Sequence, residues 1–199
     1  MDILTTLGRT LGFSFAAGLN LYATVAVLGL ADRYGWVALP PQYAIFNHDI
    51  VIYTALVMYA LEFFADKIPW VDTLWDGIHT AIRPLGGALI AVATLGEASP
   101  TMQGLVALLG GAVAASTHLT KASTRAVANA SPEPFSNWLL SFAEDLFVLA
   151  LGFVTLKFPL VALAVCVLLL GLIAYSVFAL VRAARRRFGR RPPQTPVPA

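Results

Sequence analysis

Long apolar stretches follow one another along the chain, near Thr6–Leu30, Ile50–Ala65, Leu85–Leu95, Met102–Leu119, Trp138–Leu156 and Pro159–Val181. A helix needs about 20 such residues to cross the ~30 Å hydrocarbon core of a bilayer. The pattern therefore predicts an all-α protein of six transmembrane helices. The third stretch has only eleven residues, about half the core at ~1.5 Å per residue. It must extend backwards through Arg83-Pro84 or form an interrupted span. The first stretch is longer than the apolar core of a secretory leader and carries Asn20 within it. That favours an uncleaved first span over a removed signal peptide.

Polar residues enter these stretches in stripes at helical spacing. From Trp70 to Arg83, one face holds Val71, Leu74, Trp75, Ile78 and Ile82, and the other Asp72, Asp76, His79, Thr80 and Arg83. Such separation marks an amphipathic helix. Its polar face, poor in lysine and arginine, suits a cavity inside the protein at least as well as a membrane surface. The fourth span ends on His118, Lys121, Arg125 and Asn129, before Pro132 and Pro134. The fifth carries Asn137, Ser141, Glu144 and Asp145, and the second Glu62 and Asp66, four residues apart. In the first, Asn20 and Thr24 share a face, and Gly8, Gly12 and Gly18 allow close helix approach.

Composition agrees: 58% of the residues are hydrophobic and 12% charged, with a mean hydropathy of +0.76, where soluble domains carry about 25% charge. This is an integral membrane protein. Cys166 is the lone cysteine, which rules out an intrachain disulfide and a cysteine-built metal site. The histidines lie far apart, and no nucleophile constellation or metal-ligand spacing stands out. An enzyme is not expected, nor a cofactor beyond a bound cation.

With six spans both termini share one side. Eleven of the 13 Lys+Arg fall there, including Arg9, Lys67, Arg83, Lys121, Arg125 and the arginines between Arg182 and Arg191. The positive-inside rule makes that side cytoplasmic. The tail from 183 to 199 reads as a stop-transfer anchor with a Pro-rich end, or else as a binder of anionic lipid headgroups.

The halves 1–96 and 97–182 resemble each other. Leu11-Gly12 with Ala16-Ala17 matches Leu109-Gly110 with Ala114-Ala115; Leu61, Phe63 and Asp66 match Leu140, Phe142 and Asp145; Pro84-Leu85 matches Pro159-Leu160. Three spans per copy is an odd number, so the copies would be inverted, with a site at their interface.

The polar faces hold six acids (Glu62, Asp66, Asp72, Asp76, Glu144, Asp145) against four bases (Lys67, Arg83, Lys121, Arg125). An unpaired buried charge is costly, so the acid excess asks for carboxyl groups that keep their protons, for protonated His79 and His118, or for a bound cation. Asp145 with Glu144 is the expected binding pair, and Lys121 or Arg125 its internal competitor.

Several segments resemble a bacterial membrane family known as domain of unknown function 4126. They are Ala16–Tyr22, Ala65–Pro69, Val71-Asp72, Trp75-Asp76, His79-Thr80, Arg83-Pro84, His118–Ala122 with Thr124-Arg125, and Asn129 through Ser131–Pro134 to Ser136-Asn137 and Glu144-Asp145. The likeness covers most of Leu11–Leu151 and implies a bacterial inner membrane and no particular activity. Glu62-Phe-Phe-Ala-Asp66-Lys67 is also similar to the Glu-x-Gly-Asp-Lys-Thr motif of small cation exchangers, with one residue more and without the Gly and Thr.

The function expected is a small secondary transporter or channel for a cation or a proton-coupled solute. Its binding residues would be Asn20, Glu62, Asp66, Asp72, Asp76, His79, Arg83, His118, Lys121, Arg125, Asn129, Asn137, Glu144 and Asp145. The alternative is a lipid flippase or scramblase with a charged headgroup groove. Expected partners are the lipid bilayer, a small ion or solute and, optionally, further copies in a homo-oligomer; nothing points to nucleic acid.

Overall fold

The structure is a computed structural model and describes residues 2–37, 39, 41–130 and 135–188. Its helices, among those residues, are α1 (Ile3–Leu19), α2 (Leu21–Arg33), a 3-10 helix (Pro41–Asn47), α3 (Asp49–Ala65), α4 (Pro69–Leu95), α5 (Pro100–Asn129), α6 (Phe135–Lys157) and α7 (Pro159–Phe188). Local chemistry sets these boundaries. Pro69, Pro100 and Pro159 open α4, α5 and α7, where a missing N–H costs nothing. Ser99 caps α5 by accepting from the Met102 N–H. Gly96, at φ 74°, closes α4 in the left-handed region that glycine enters freely.

The first apolar stretch is not one span. Asn20 adopts an extended conformation (φ −149°, ψ 100°). Its N–H donates to the Ala16 carbonyl, ending α1, and its side-chain oxygen accepts from the Ala23 N–H, starting α2. At this point the chain turns back. Ser14 donates to the Gly87 carbonyl and Arg83 to the Gly18 carbonyl, so α1 runs antiparallel to α4. Gly8 packs on Pro159 and Gly12 on Thr155, which places the start of α1 where α6 ends and α7 begins. The return helix ends at the same level, for Arg33 bonds Asn47 and Asp49 at the entrance to α3. Phe13, seven residues before Asn20, and Leu28, eight after it, share one core cluster with Tyr43, Phe46, Ile90 and Leu156. In a single straight helix they would stand about 22 Å apart. α1 and α2 are thus a hairpin that enters and leaves at one end of the bundle.

This corrects the six-span expectation. Four helices (α4, α5, α6 and α7) are long and apolar enough to cross a membrane, and a fifth span is formed if the 3-10 helix and α3, bent by 60°, cross together. Hydropathy counts apolar residues but is blind to a reversal of direction at one residue. The third span is also not interrupted: α4 continues through Pro84 for 27 residues. The missing backbone bond is tolerated because α4 is packed along α1 and α5. Nor do the described chain ends share a side, since α1 begins beside Pro159 and α7 finishes at the far end.

Directions also bear on the proposed repeat. Mates in an inverted repeat run opposite ways, as α3 and α6 do, and α4 and α7. α1 fails this requirement against α5: Ser14 lies against Gly110 and Gly18 against Ala114 and Thr117, so the two helices are parallel. The matched Leu-Gly and Ala-Ala pairs come from small-residue packing, which recurs wherever helices approach closely. The tail expected from 183 begins later, because α7 continues to Phe188; positions 189–199 lie outside the described residues, as do Pro132 and Pro134.

Glycine packing fixes α1 at the centre. A Cβ on Gly8 would stand 2.0 Å from the Pro159 carbonyl oxygen, an atom of backbone that cannot rotate aside. Gly8→Ala is expected to destabilise the protein by about 1–3 kcal/mol through overpacking. Gly104→Ala, where a Cβ meets nothing within 4 Å, should be neutral or stabilising. Melting temperatures of the two purified variants check the contrast.

Candidate functional site

The tip of the hairpin ends among charged residues from α3, α4, α5 and α6. Glu62 and Asp66, one turn apart on α3, point together at Lys121 of α5, at 3.4 and 3.3 Å. Arg83 of α4 pairs with Glu62 at 2.6 Å and lies 3.4 Å from Asp76. Arg125 of α5 spans the widest set: Asp66 at 2.8 Å, Glu144 at 3.1 Å and Asp72 at 3.8 Å. It also donates to the Asn137 side chain at 2.6 Å and to the Asp66 carbonyl at 3.2 Å. Asn129 donates to Asp72 at 2.7 Å. Glu62, Asp72, Arg83 and His118 are fully buried, and Asp66, Asp76, Lys121, Arg125 and Asn137 nearly so.

The broken helix supplies two further poles. The carbonyls of Gly18 and Leu19, at the negative end of α1, accept from Arg83 at 3.3 Å and Lys121 at 3.1 Å. At the start of α2, Asn20 donates to Asp145 at 3.4 Å. Broken helices with their ends turned to buried charge are tolerated at membrane depth only where protein or a cavity receives the freed backbone groups.

All fourteen residues singled out in the sequence meet here, and the stripes are four walls of one network. Their pairing differs from expectation in three ways. Glu144 and Asp145 do not form a pair: neighbours on a helix diverge by about 100°. Glu144 turns to Arg125 and Lys121, the latter at 3.7 Å, whereas Asp145 turns to Asn20. Lys121 and Arg125 therefore partner Glu144, and Asp145 forms no ion pair among the described residues, the charges of Lys121 and Lys67 reaching it only from beyond ion-pair distance. It is 7% exposed, and its Oδ2 has no hydrogen-bond partner.

Secondly, the histidines do not offset the acid excess. Arg83 can only donate, so His118 Nδ1, 2.8 Å away, accepts and carries no proton. Its other nitrogen donates to the Asp76 carbonyl at 3.1 Å. His79 donates through Nδ1 to the Trp75 carbonyl at 2.7 Å, and Nε2 meets the Tyr22 hydroxyl at 2.9 Å.

Thirdly, Lys67 forms no ion pair among the described residues. Its ammonium sits 3.2 Å over the Phe63 ring and 4.5 Å from that of Phe142, and donates to the Phe63 carbonyl and to Ser141. Six carboxylates are thus matched by three paired bases, an excess larger than the sequence indicated. No group of three or more His, Cys, Asp or Glu among the described residues is placed to hold a metal ion.

Tyr22 was missed as a partner of His79. It closes the Ala16–Tyr22 segment, and its place two residues beyond Asn20 carries meaning once Asn20 is known to be a break.

A model of the family described as domain of unknown function (DUF4126) matches residues 7–179. No curated protein matches the chain, and no solved structure does. The matched stretch contains all but the first turn of the hairpin and every member of the ion network, and the chain belongs to the DUF4126 family.

Proposed function

We propose that this protein is a small secondary transporter or channel that moves a cation, or a proton-coupled small solute, through its acidic network. One observation carries the reading: Asp145 is a buried carboxylate that forms no ion pair among the described residues, at the tip of a broken helix, in a network holding twice as many acids as ion-paired bases. A network serving only as helix glue would tend towards neutrality, because each uncompensated buried charge costs several kcal/mol. Discontinuous helices meeting at a charged site are the recurring design of secondary transporters.

The lipid-flippase reading is less well supported. A groove between α5 and α7 opens sideways, but its walls are apolar and hydroxyl-bearing (Leu119, Thr120, Ser123, Leu172, Ser176), and the charges lie elsewhere. In a flippase the charges would line the open groove.

The protein would sit in the bacterial inner membrane with five crossings and one re-entrant hairpin. Eight of the eleven described Lys+Arg then belong to the end where α7 finishes, making that end cytoplasmic and the start of α1 external. Single cysteines test this, after buried Cys166 is replaced by alanine. An impermeant thiol reagent applied to intact cells should label Asp2→Cys and spare Ala184→Cys. Equal labelling of both would overturn the hairpin topology.

The activity itself is tested by reconstitution into vesicles with an imposed pH or sodium gradient. Flux above that of empty vesicles, of ions or of a gradient-coupled solute, is expected. Headgroup translocation without any ion or solute flux would favour the flippase, and neither activity would remove the transport reading.

A further inference from the structure

Beside the network, a crevice of about 200 Å³ opens between α4 and α5, lined in part by Thr73, Asp76, Thr80, Arg125 and Asn129. Asp76 is only 4% exposed, and neither of its carboxylate oxygens has a hydrogen-bond partner. Oδ1 lies 3.4 Å from Arg83, whose guanidinium is committed to Glu62 and His118. The amide oxygen of Asn129 is likewise buried without a partner, while its nitrogen donates to Asp72, to Thr73 and to the Pro69 carbonyl. Both threonine hydroxyls spend their protons on backbone, Thr73 on the Pro69 carbonyl and Thr80 on that of Asp76. Thr73 also accepts from Asn129 and Thr80 from His118, which leaves one oxygen lone pair on each as the free chemistry.

Arg125 is the one cation on this wall. Its N–H groups are directed to Glu144, Asp66 and Asn137. The crevice therefore presents oxygen acceptors of three kinds on four residues, and its one cationic donor, Arg125, holds its unbonded Nη2 2.8 Å from the Asp66 carboxylate. An anion would have to displace the Asp66 carboxylate from Arg125, and an apolar ligand would leave the buried carboxylate unsatisfied.

From this we infer that the crevice binds a small, hard monovalent cation of the sodium class through oxygens of Asp76, Asn129, Thr73 and Thr80. A single carboxylate beside an occupied guanidinium balances one positive charge. Calcium-type sites recruit more carboxylate than this. The inference rests on the transport reading and deepens it, for a cation bound here competes with Arg83 for Asp76 and so has access to the Glu62–Lys121–Asp66 chain.

Thermal unfolding of the purified protein in sodium chloride, against N-methyl-D-glucamine chloride at equal ionic strength, tests the site. The wild type should show a saturable, sodium-specific rise of about 5–10 °C once sodium exceeds its dissociation constant a hundredfold. Asp76→Asn should lose the rise. So should Gly77→Leu, which fills the crevice at a position where a Cβ meets nothing within 4 Å and therefore folds even if Asp76→Asn does not. Asp145→Asn should keep it. No sodium-specific rise in the wild type, or a rise retained in either crevice variant, overturns the site. If flux is absent but the rise behaves as expected, the transport reading falls and the cation site stands. If Asp145→Asn abolishes flux and sodium has no specific effect, the reverse holds.

Discussion

Asp145→Asn is expected to leave the protein folded, with a melting temperature close to that of the wild type, while flux in reconstituted vesicles falls at least about tenfold. The two halves of this result have separate causes. Stability survives because Asp145 has no ion pair among the described residues to abandon, and its hydrogen bond from the Asn20 amide at 3.4 Å can be accepted equally well by an asparagine oxygen. Flux falls because the substitution removes the network carboxylate that forms no ion pair among the described residues, and a ten-fold loss corresponds to only ~1.4 kcal/mol in the binding or translocation step. Glu144→Gln supplies the contrast. It takes a partner from both Arg125 and Lys121, 3.1 and 3.7 Å away, and should lower stability. Unchanged flux per folded molecule in Asp145→Asn would refute the transport role of this residue.

Arg125→Met is expected to produce the largest loss of stability, about 3–5 kcal/mol, the cost of leaving a buried partner charge uncompensated. Arg125 joins α5 to α3 through Asp66, to α4 through Asp72, and to α6 through Asn137 and Glu144. Without it, Asp66 and Glu144 share Lys121 alone. Arg125→Lys should recover only part of the loss, since one ammonium cannot reproduce a planar fork aimed at several helices. Adding Asp66→Asn to Arg125→Met should restore stability beyond the sum of the single effects, because the orphaned charge is then gone. Thermal or denaturant unfolding of the four proteins in detergent measures each step, and additive losses would mean that the network is not energetically coupled.

Helical spacing alone determined much of this protein. The membrane setting, the helices carrying each stripe, and the fact that all four stripes carry complementary charge follow from periodicity and from the cost of placing charge in lipid. Direction and pairing came only from the tertiary structure. Asn20 reads equally well as a polar residue inside one long span or as the break in a hairpin, because its cap bonds to Ala16 and Ala23 are local. Only its neighbours reveal the turn: Ser14 against Gly87, Arg33 against Asp49, Phe13 beside Leu28. Glu144 and Asp145 look like a pair in one dimension, and the ~100° between successive helical positions sends one to Arg125 and the other to Asn20. Lys67 counts as a base in any tally of charge, and the rings of Phe63 and Phe142 hold it out of ion-pair reach of the described carboxylates. Periodicity fixes which face of a helix a residue occupies; which partner it meets there depends on how the helices are arranged, and that is decided by contacts far apart in the chain.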